Sequence, residues 1–336
     1  MANYVNNSTI VSALTAYVDQ LGFNKILIES VFSARTAKIA TIQTGVKGTQ
    51  AINLITSQPV FQNAQCGLIS GSGSVTFAQS NITVADIMVY ENICYYGANT
   101  LSKYYTGMLM KEGIRQEDLT PDIFAKAYIA DKANKIMDYN EKSLWLGSTS
   151  GTVYNSQYTL MNGFLYNLYQ TSASASIIVG ATAYPGALTK STTAPIPSAG
   201  SSIDVVNQLT TLIPEAIADK QTYCFMNLTN YRTLVNDLVS VNNYHIDLVE
   251  QNHLKVWEFD YPYYPTMKIV ATSGLSGRND IVITYAENMY IGVDSESDDE
   301  NFHVWESADL NSVNFRAMWR LGTAIAYPQY VVVKNA

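Results

Sequence analysis

The stretch Thr120–Gly147, TPDIFAKAYIADKANKIMDYNEKSLWLG, constrains the rest of the chain more than any other. Thr120 is a good N-cap, Pro121 suits the first helical position, and Asp122 sits where the helix dipole favours an anion. Ile123, Ala127, Ala130, Met137 and Leu144 fall on one face, with Ile129, Ala133 and Ile136 beside them. Asp131 with Lys135, and Asp138 with Lys142, are acid-first pairs four residues apart. Gly147 stands where a left-handed residue would end the helix. At 1.5 Å per residue the predicted helix is about 39 Å long. A rod of that length with a wide apolar face needs something equally long laid against it.

The flanking segments supply long partners. Ile10, Leu14, Tyr17, Val18 and Leu21 predict a short amphipathic helix closed by Gly22, and residues 24–48 read as an arm lying across other structure. Thr49–Phe61 and Val75–Tyr96 are extended, apolar-rich stretches around GLISGSGS, residues 67–74, which predicts a long β-hairpin. A two-stranded ribbon is marginal alone in water, so this one must lean on something. No Lys or Arg occurs between Lys47 and Lys103.

The second half alternates short helices and strands. Tyr184–Ser202, with Pro185, Pro195 and Pro197, is a candidate boundary. Ser202 is expected to cap a helix burying Val205, Val206, Leu209 and Ile213, with Pro214 kinking or restarting it. Thr222–Met226 reads as a buried strand, and Asn227 or Thr229 as the cap of a helix running through Leu238. Short strands follow at Leu254–Phe259, Met267–Ala271, Ile281–Tyr285, Met289–Val293 and His303–Glu306. Val313–Leu321 alternates strictly and is the strongest strand signal, with Val313, Phe315, Ala317, Trp319 and Leu321 on one face. Pro328 and Val331–Val333 close the chain.

Composition narrows the function. The 336 residues suffice for about two domains. Only 14% are charged, against about 25% in an ordinary soluble chain. Either much of the surface is hidden against partners, or it is covered by uncharged Ser, Thr, Asn and Tyr; both readings stay open. Net charge −8 without a Lys/Arg cluster leaves no phosphate-gripping footprint. The lack of a basic residue before Lys25 predicts neither a signal nor a transit peptide, and no apolar run is long enough to span a membrane. Cys66, Cys94 and Cys224 read as buried small hydrophobes in a reducing compartment.

Signatures of chemistry are missing. There is no G-x-S-x-G elbow, P-loop, H-E-x-x-H or C-x-x-C, so no catalytic, cofactor or metal residue is assigned. His245, His253 and His303 are scattered and read as structural or exposed. Gly71-Ser72-Gly73 is a hairpin tip and not a phosphate loop, since no helix follows it. Asp294-Ser-Glu-Ser-Asp-Asp-Glu300 echoes half a calcium loop, but Asp299 replaces the turn glycine and Trp305 the closing carboxylate, which predicts a solvated loop. Trp257, Tyr261, Tyr263 and Tyr264, interleaved with Pro262 and Pro265, read as a packed loop or subunit contact.

The order of these elements resembles the major capsid proteins of tailed double-stranded DNA bacteriophages, with the Hong Kong 97-like fold. The helix Asp122–Leu146 ending in Gly147 is similar to the family's spine helix, and Leu160-Met-Asn-Gly-Phe-Leu165 to the turn that follows it. Asp204 through Pro214, then TYCFMNLTNYRTLV, resembles the helix, strand and helix ahead of the axial sheet. Phe315-Arg-Ala-Met-Trp-Arg-Leu-Gly-Thr-Ala-Ile-Ala-Tyr-Pro328 resembles the closing strand. The likeness covers residues 10–333. It implies an α+β protomer with an N-terminal arm (1–45), an extended loop (46–96), a peripheral domain (97–200) holding spine helix 121–146, an axial domain (201–300) and a closing strand returning to the peripheral domain (301–336). It further implies no enzymatic activity and self-assembly through hexamers and pentamers into an icosahedral head in the host cytoplasm. Portal and scaffolding proteins are the implied partners, with room for decoration proteins, and double-stranded DNA would be enclosed with little specific binding. Encapsulin shells share the fold and are an alternative, as is another virion part such as a tail-tube subunit. Two features depart from the best-known member. No long charged helical segment precedes the arm, so no fused scaffolding domain is expected, and the hairpin has no lysine near its tip.

Overall fold

A computed structural model describes residues 34–58, 74–94, 121–150, 158–173, 201–242, 257–294, 302–307 and 312–334, with positions 12, 13 and 16. Those three positions are helical, inside the predicted N-terminal helix. The hairpin tip (59–73), the candidate boundary at 184–200, His245, His253, Cys66 and the acidic residues 295–300 lie outside the described residues.

Two sheets organise the protein. The larger has six strands in the order β1 (Thr41–Thr44), β8 (Met289–Val293), β10 (Ser312–Ile325), β3 (Ser74–Cys94) and β2 (Thr49–Gln58), with β9 (Phe302–Ser307) paired to β10 off that path. The predicted hairpin is present, and what it leans on is β10. Thr83–Cys94 of β3 pairs antiparallel with Thr323–Ser312, while Ser74–Thr83 pairs with Gln58–Thr49 of β2. One 21-residue strand therefore belongs to both the body and the hairpin, with Thr83 shared. Gly45, at φ +75, turns the chain after β1 towards β2, a backbone conformation that costs a residue with Cβ more.

The second sheet runs β11 (Val332–Lys334), β7 (Ile281–Tyr285), β4 (Thr222–Met226), β6 (Met267–Ala271) and β5 (Glu258–Asp260). Its central strands are nearly continuous apolar runs because both faces are covered. Cys224, Met226, Ile269 and Ile283 pack with α4 (Ser201–Thr210) and α6 (Leu228–Asn242), whereas Phe225, Val270 and Val282 join the core around the long helix α2 (Pro121–Leu146). The sheets cut across the sequence blocks expected above. β8 joins the larger sheet although it lies within 201–300, and β11 ends the chain in the smaller one, not beside β10.

Helix α2 begins at Pro121 as expected, and both acid-first pairs form: Lys135–Asp131 at 3.5 Å and Lys142–Asp138 at 2.6 Å. Its buried face differs from the one expected. Ala130 is exposed and Ala133 half-buried, while Tyr128, Ile129, Ile136, Asn140 and Leu144 are buried. The cause is β3 and β10 beneath it. Tyr128 meets Phe315 edge-on at 6.2 Å, Lys132 turns inward to Glu91, and Trp319 Nε1 donates to Asn140 Oδ1 at 3.1 Å. Gly147 is not left-handed either. Its role is close approach, since an added Cβ would lie 2.6 Å from the carbonyl oxygens of both Ser143 and Met161.

Asn227 Oδ1 accepts from the Asn230 amide at 2.6 Å and is the cap of α6. Ser202, expected to cap α4, lies within that helix and is buried, and its hydroxyl donates to the Asp237 carboxylate of α6.

Candidate assembly surfaces

No cluster of three or more His, Cys, Asp or Glu side chains able to hold a metal occurs among the described residues. Cys224 is a free, fully buried thiol, and burial pushes its pKa up, away from reactivity. Cys94 and His303 hold strand positions, the latter opposite Arg316. Asp294 is not solvated as expected. It directly follows β8, its side chain is only 10% exposed, and its Oδ2 accepts from Arg320 Nη1 at 2.6 Å; Arg320 Nε also donates to Asp86 at 2.6 Å. The aromatic run is packed. Tyr261 is fully buried and donates to Asn207 Oδ1 at 2.8 Å, Tyr264 donates to the Ala218 carbonyl, and Trp257 lies under the Arg35 guanidinium. Tyr263 is the exposed member.

The surface features concentrate on β3. On the hairpin, Ile55 and Phe77 stand opposite each other and are 62% and 75% exposed, with Val75 at 56% beside them. Such a patch on a two-stranded ribbon has nothing in its own chain, among the described residues, to cover it. A second patch lies on the body half of the strand. Met88 and Tyr90 are exposed, Tyr90 meets Trp305 at 6.1 Å, and the Arg316 guanidinium stands 6.0 Å from the Trp305 ring. Among the described residues no helix is long and apolar enough to cross a membrane.

A buried polar junction escaped the sequence reading. Glu141, on α2, is 3% exposed. Its Oε1 accepts the hydroxyls of Thr36 (2.6 Å) and Thr272, and the Thr36 amide approaches both of its oxygens at 3.3–3.4 Å. Trp145 Nε1 donates to Thr36 Oγ1 at 2.7 Å. The junction joins α1 (Arg35–Ile39), α2 and the turn after β6, elements more than 100 residues apart in sequence. Nothing in spacing or periodicity could have brought these residues together.

No family profile matches the chain, and no curated protein does. Solved structures do. A chain of the satellite phage P4 procapsid including the size determination (Sid) protein is 12% identical, over 93% of this chain and 89% of that one, with a TM-score of 0.55. A chain from Gordonia phage Cozz is 10% identical over 90% and 86%, at 0.53. A third, from Mycobacterium phage Ogopogo, is 10% identical over 89% and 91%, at 0.51. At these identities the likeness is one of fold, and it spans nearly all of each chain: this protein has an α+β fold of the Hong Kong 97 type.

Proposed function

We propose that the chain is the major capsid protein of a tailed double-stranded DNA bacteriophage and self-assembles into an icosahedral head. The observation that carries this is the superposition on a procapsid chain across 93% of the residues, far more than one sheet or one helix could account for. The uncovered apolar residues Ile55, Val75 and Phe77 support it, because neighbouring copies would bury what the protomer cannot. In this reading residues 1–45 are the arm, 46–96 the extended loop, 97–200 the peripheral domain with α2 as spine, and 201–300 the axial domain, with 301–336 returning. β8 and β11 are exchanged between the two sheets. Hexamers and pentamers of the same chain would form the shell, with portal and scaffolding proteins as further partners. With net charge −8 and no basic stripe, DNA is held by enclosure and not by adhesion.

Expression of the chain alone tests the reading. Sedimentation and negative-stain microscopy should show capsomers, tubes or closed shells. A compact monomer at roughly 10–100 µM, where weak interfaces already fill, overturns it.

A further inference from the structure

We infer that docking of the Arg35–Ala37 segment onto the long helix is proton-linked through Glu141, tightening as the solution is acidified and loosening as it becomes alkaline. Every polar contact recorded at Glu141 is a donor. The Thr36 and Thr272 hydroxyls both point to Oε1, and the Thr36 amide lies between the two oxygens. Neither hydroxyl is idle on its other side, since Thr36 Oγ1 accepts from Trp145 and Thr272 Oγ1 accepts from the Gly274 amide at 3.0 Å. The Gly274 turn packs closely on the long helix, since an added Cβ there would meet the Trp145 ring and the Glu141 carbonyl. Lifting α1 away would open the carboxyl to water.

The neighbouring charges are few. Arg35 of α1 faces Glu141, but its Nη1 donates to the Ala271 carbonyl at 2.8 Å and its guanidinium lies 4.8 Å from the centre of the Trp257 ring. It favours the carboxylate without forming an ion pair with it. Tyr231 of α6 faces Arg35 and is pushed up to about 12, so it stays neutral. On α2, Lys142 is paired with Asp138, and Tyr139 packs on Tyr158. Lys38 of α1 is exposed, and the Thr272–Leu275 turn carries no titratable side chain.

Burial is the largest influence on Glu141 and outweighs the hydrogen bonds and Arg35, raising its pKa above the ordinary carboxylate range. The docked state thus holds a proton more tightly than a state with Glu141 in water. Docking is strongest below the water-exposed pKa. It weakens as pH rises through the docked value, then levels off.

Hydrogen exchange of peptides covering residues 34–40 reads this directly in the 336-residue chain, held in one assembly state and corrected for intrinsic exchange. As pH rises from below the ordinary carboxylate pKa to above the docked one, protection should fall in total about tenfold for each pH unit separating the two. In Glu141→Gln, which keeps the volume and an acceptor for both hydroxyls, the corrected profile should be flat. Thr272→Val removes a donor that favours the ionised form, so its transition should move to higher pH, and Thr272→Ser should restore it. Identical profiles for wild type and Glu141→Gln, or protection that rises with pH, overturn the inference. If Glu141→Gln does not fold, the Thr272 pair decides: a transition that Thr272→Val leaves in place overturns it too.

Discussion

Substituting Gly147 by alanine and by asparagine separates two reasons for a glycine after a long helix. A left-handed terminator would lose about 1 kcal/mol on going to alanine, and asparagine would recover much of it, because asparagine tolerates that conformation. The geometry here demands something else. The Gly147 amide donates to Ser143 O at 3.0 Å, and its carbonyl accepts from the Gly163 amide at 2.9 Å. A Cβ would stand 2.6 Å from the oxygens of Ser143 and Met161 and 3.1 Å from the Gly163 nitrogen, where real contacts stay above 3.0 Å. All three obstacles are backbone, so no rotamer change relieves them. The helix end and the turn into α3 (Phe164–Ala173) would have to part, at a cost of about 3 kcal/mol, the upper range for overpacking. Asparagine carries the same Cβ and should fare no better. With a urea slope of about 3 kcal/mol per molar, both variants should lose roughly 1 M in midpoint, read from tryptophan fluorescence in one assembly state. An asparagine variant with the wild-type midpoint beside a weakened alanine variant would refute the close-approach argument.

Two other outcomes follow from single side chains. Lys334 is fully buried and its Nζ has no hydrogen-bond partner, while nearby Asp280 is already held by Arg278 at 2.7 Å and by the Tyr169 hydroxyl. Burial lowers the Lys334 pKa, so the folded state resists the charge, and stability is lost as pH falls from the ordinary lysine range to that lowered value and then levels off. Lys334→Met should therefore stabilise the chain by about 1 kcal/mol at neutral pH and by less in alkali, and a lower melting temperature at neutral pH would count against it. Thr49–Ser102 contains no lysine, so in the proposed shell this stretch cannot supply the amine of an isopeptide bond between copies. Boiled, reduced particles should run as one band near 37.1 kDa, and a covalent ladder would contradict this.

Elements were legible where local pattern decides them. Met267–Ala271, Ile281–Tyr285 and Met289–Val293 are apolar runs bounded by turn residues, and all three strands have those limits. Which sheet each joins was not legible. β7 and β8 are three residues apart and equally apolar, yet the first pairs with β4 and the second with β10. The buried face of α2 is hidden from the sequence for a related reason. A lysine at 132 looks solvent-facing by period, and only the position of Glu91, 41 residues earlier, draws it inward. Glu141 is the extreme case, a carboxylate on a helix whose partners Thr36 and Thr272 lie 105 and 131 residues away. Its burial is a property of the tertiary arrangement alone.

The hairpin resolves the question that composition left open. From Gly48 to Ala85 the sequence has no charged side chain. The charges on β3 begin where the strand enters the body, and they are neutralised there, Asp86 by Arg320 at 2.6 Å and Glu91 by Lys132. Edge strands of independent proteins are usually blunted by lysine, by inward charges or by a covering helix, because an open ladder invites pairing with another chain. Here the described part of β2, ten residues paired only to β3, has none of these protections, and Ile55 and Phe77 add exposed apolar surface. In a free protomer that is a hazard. In the proposed shell it is the contact surface, and low charge is the condition for burying it without the cost of desolvating ions. Rigidity follows from the same strand. Because Thr83–Cys94 is paired to β10, the root of the hairpin is fixed to the body, so each copy in the proposed shell presents its open edge from the same place on the protomer.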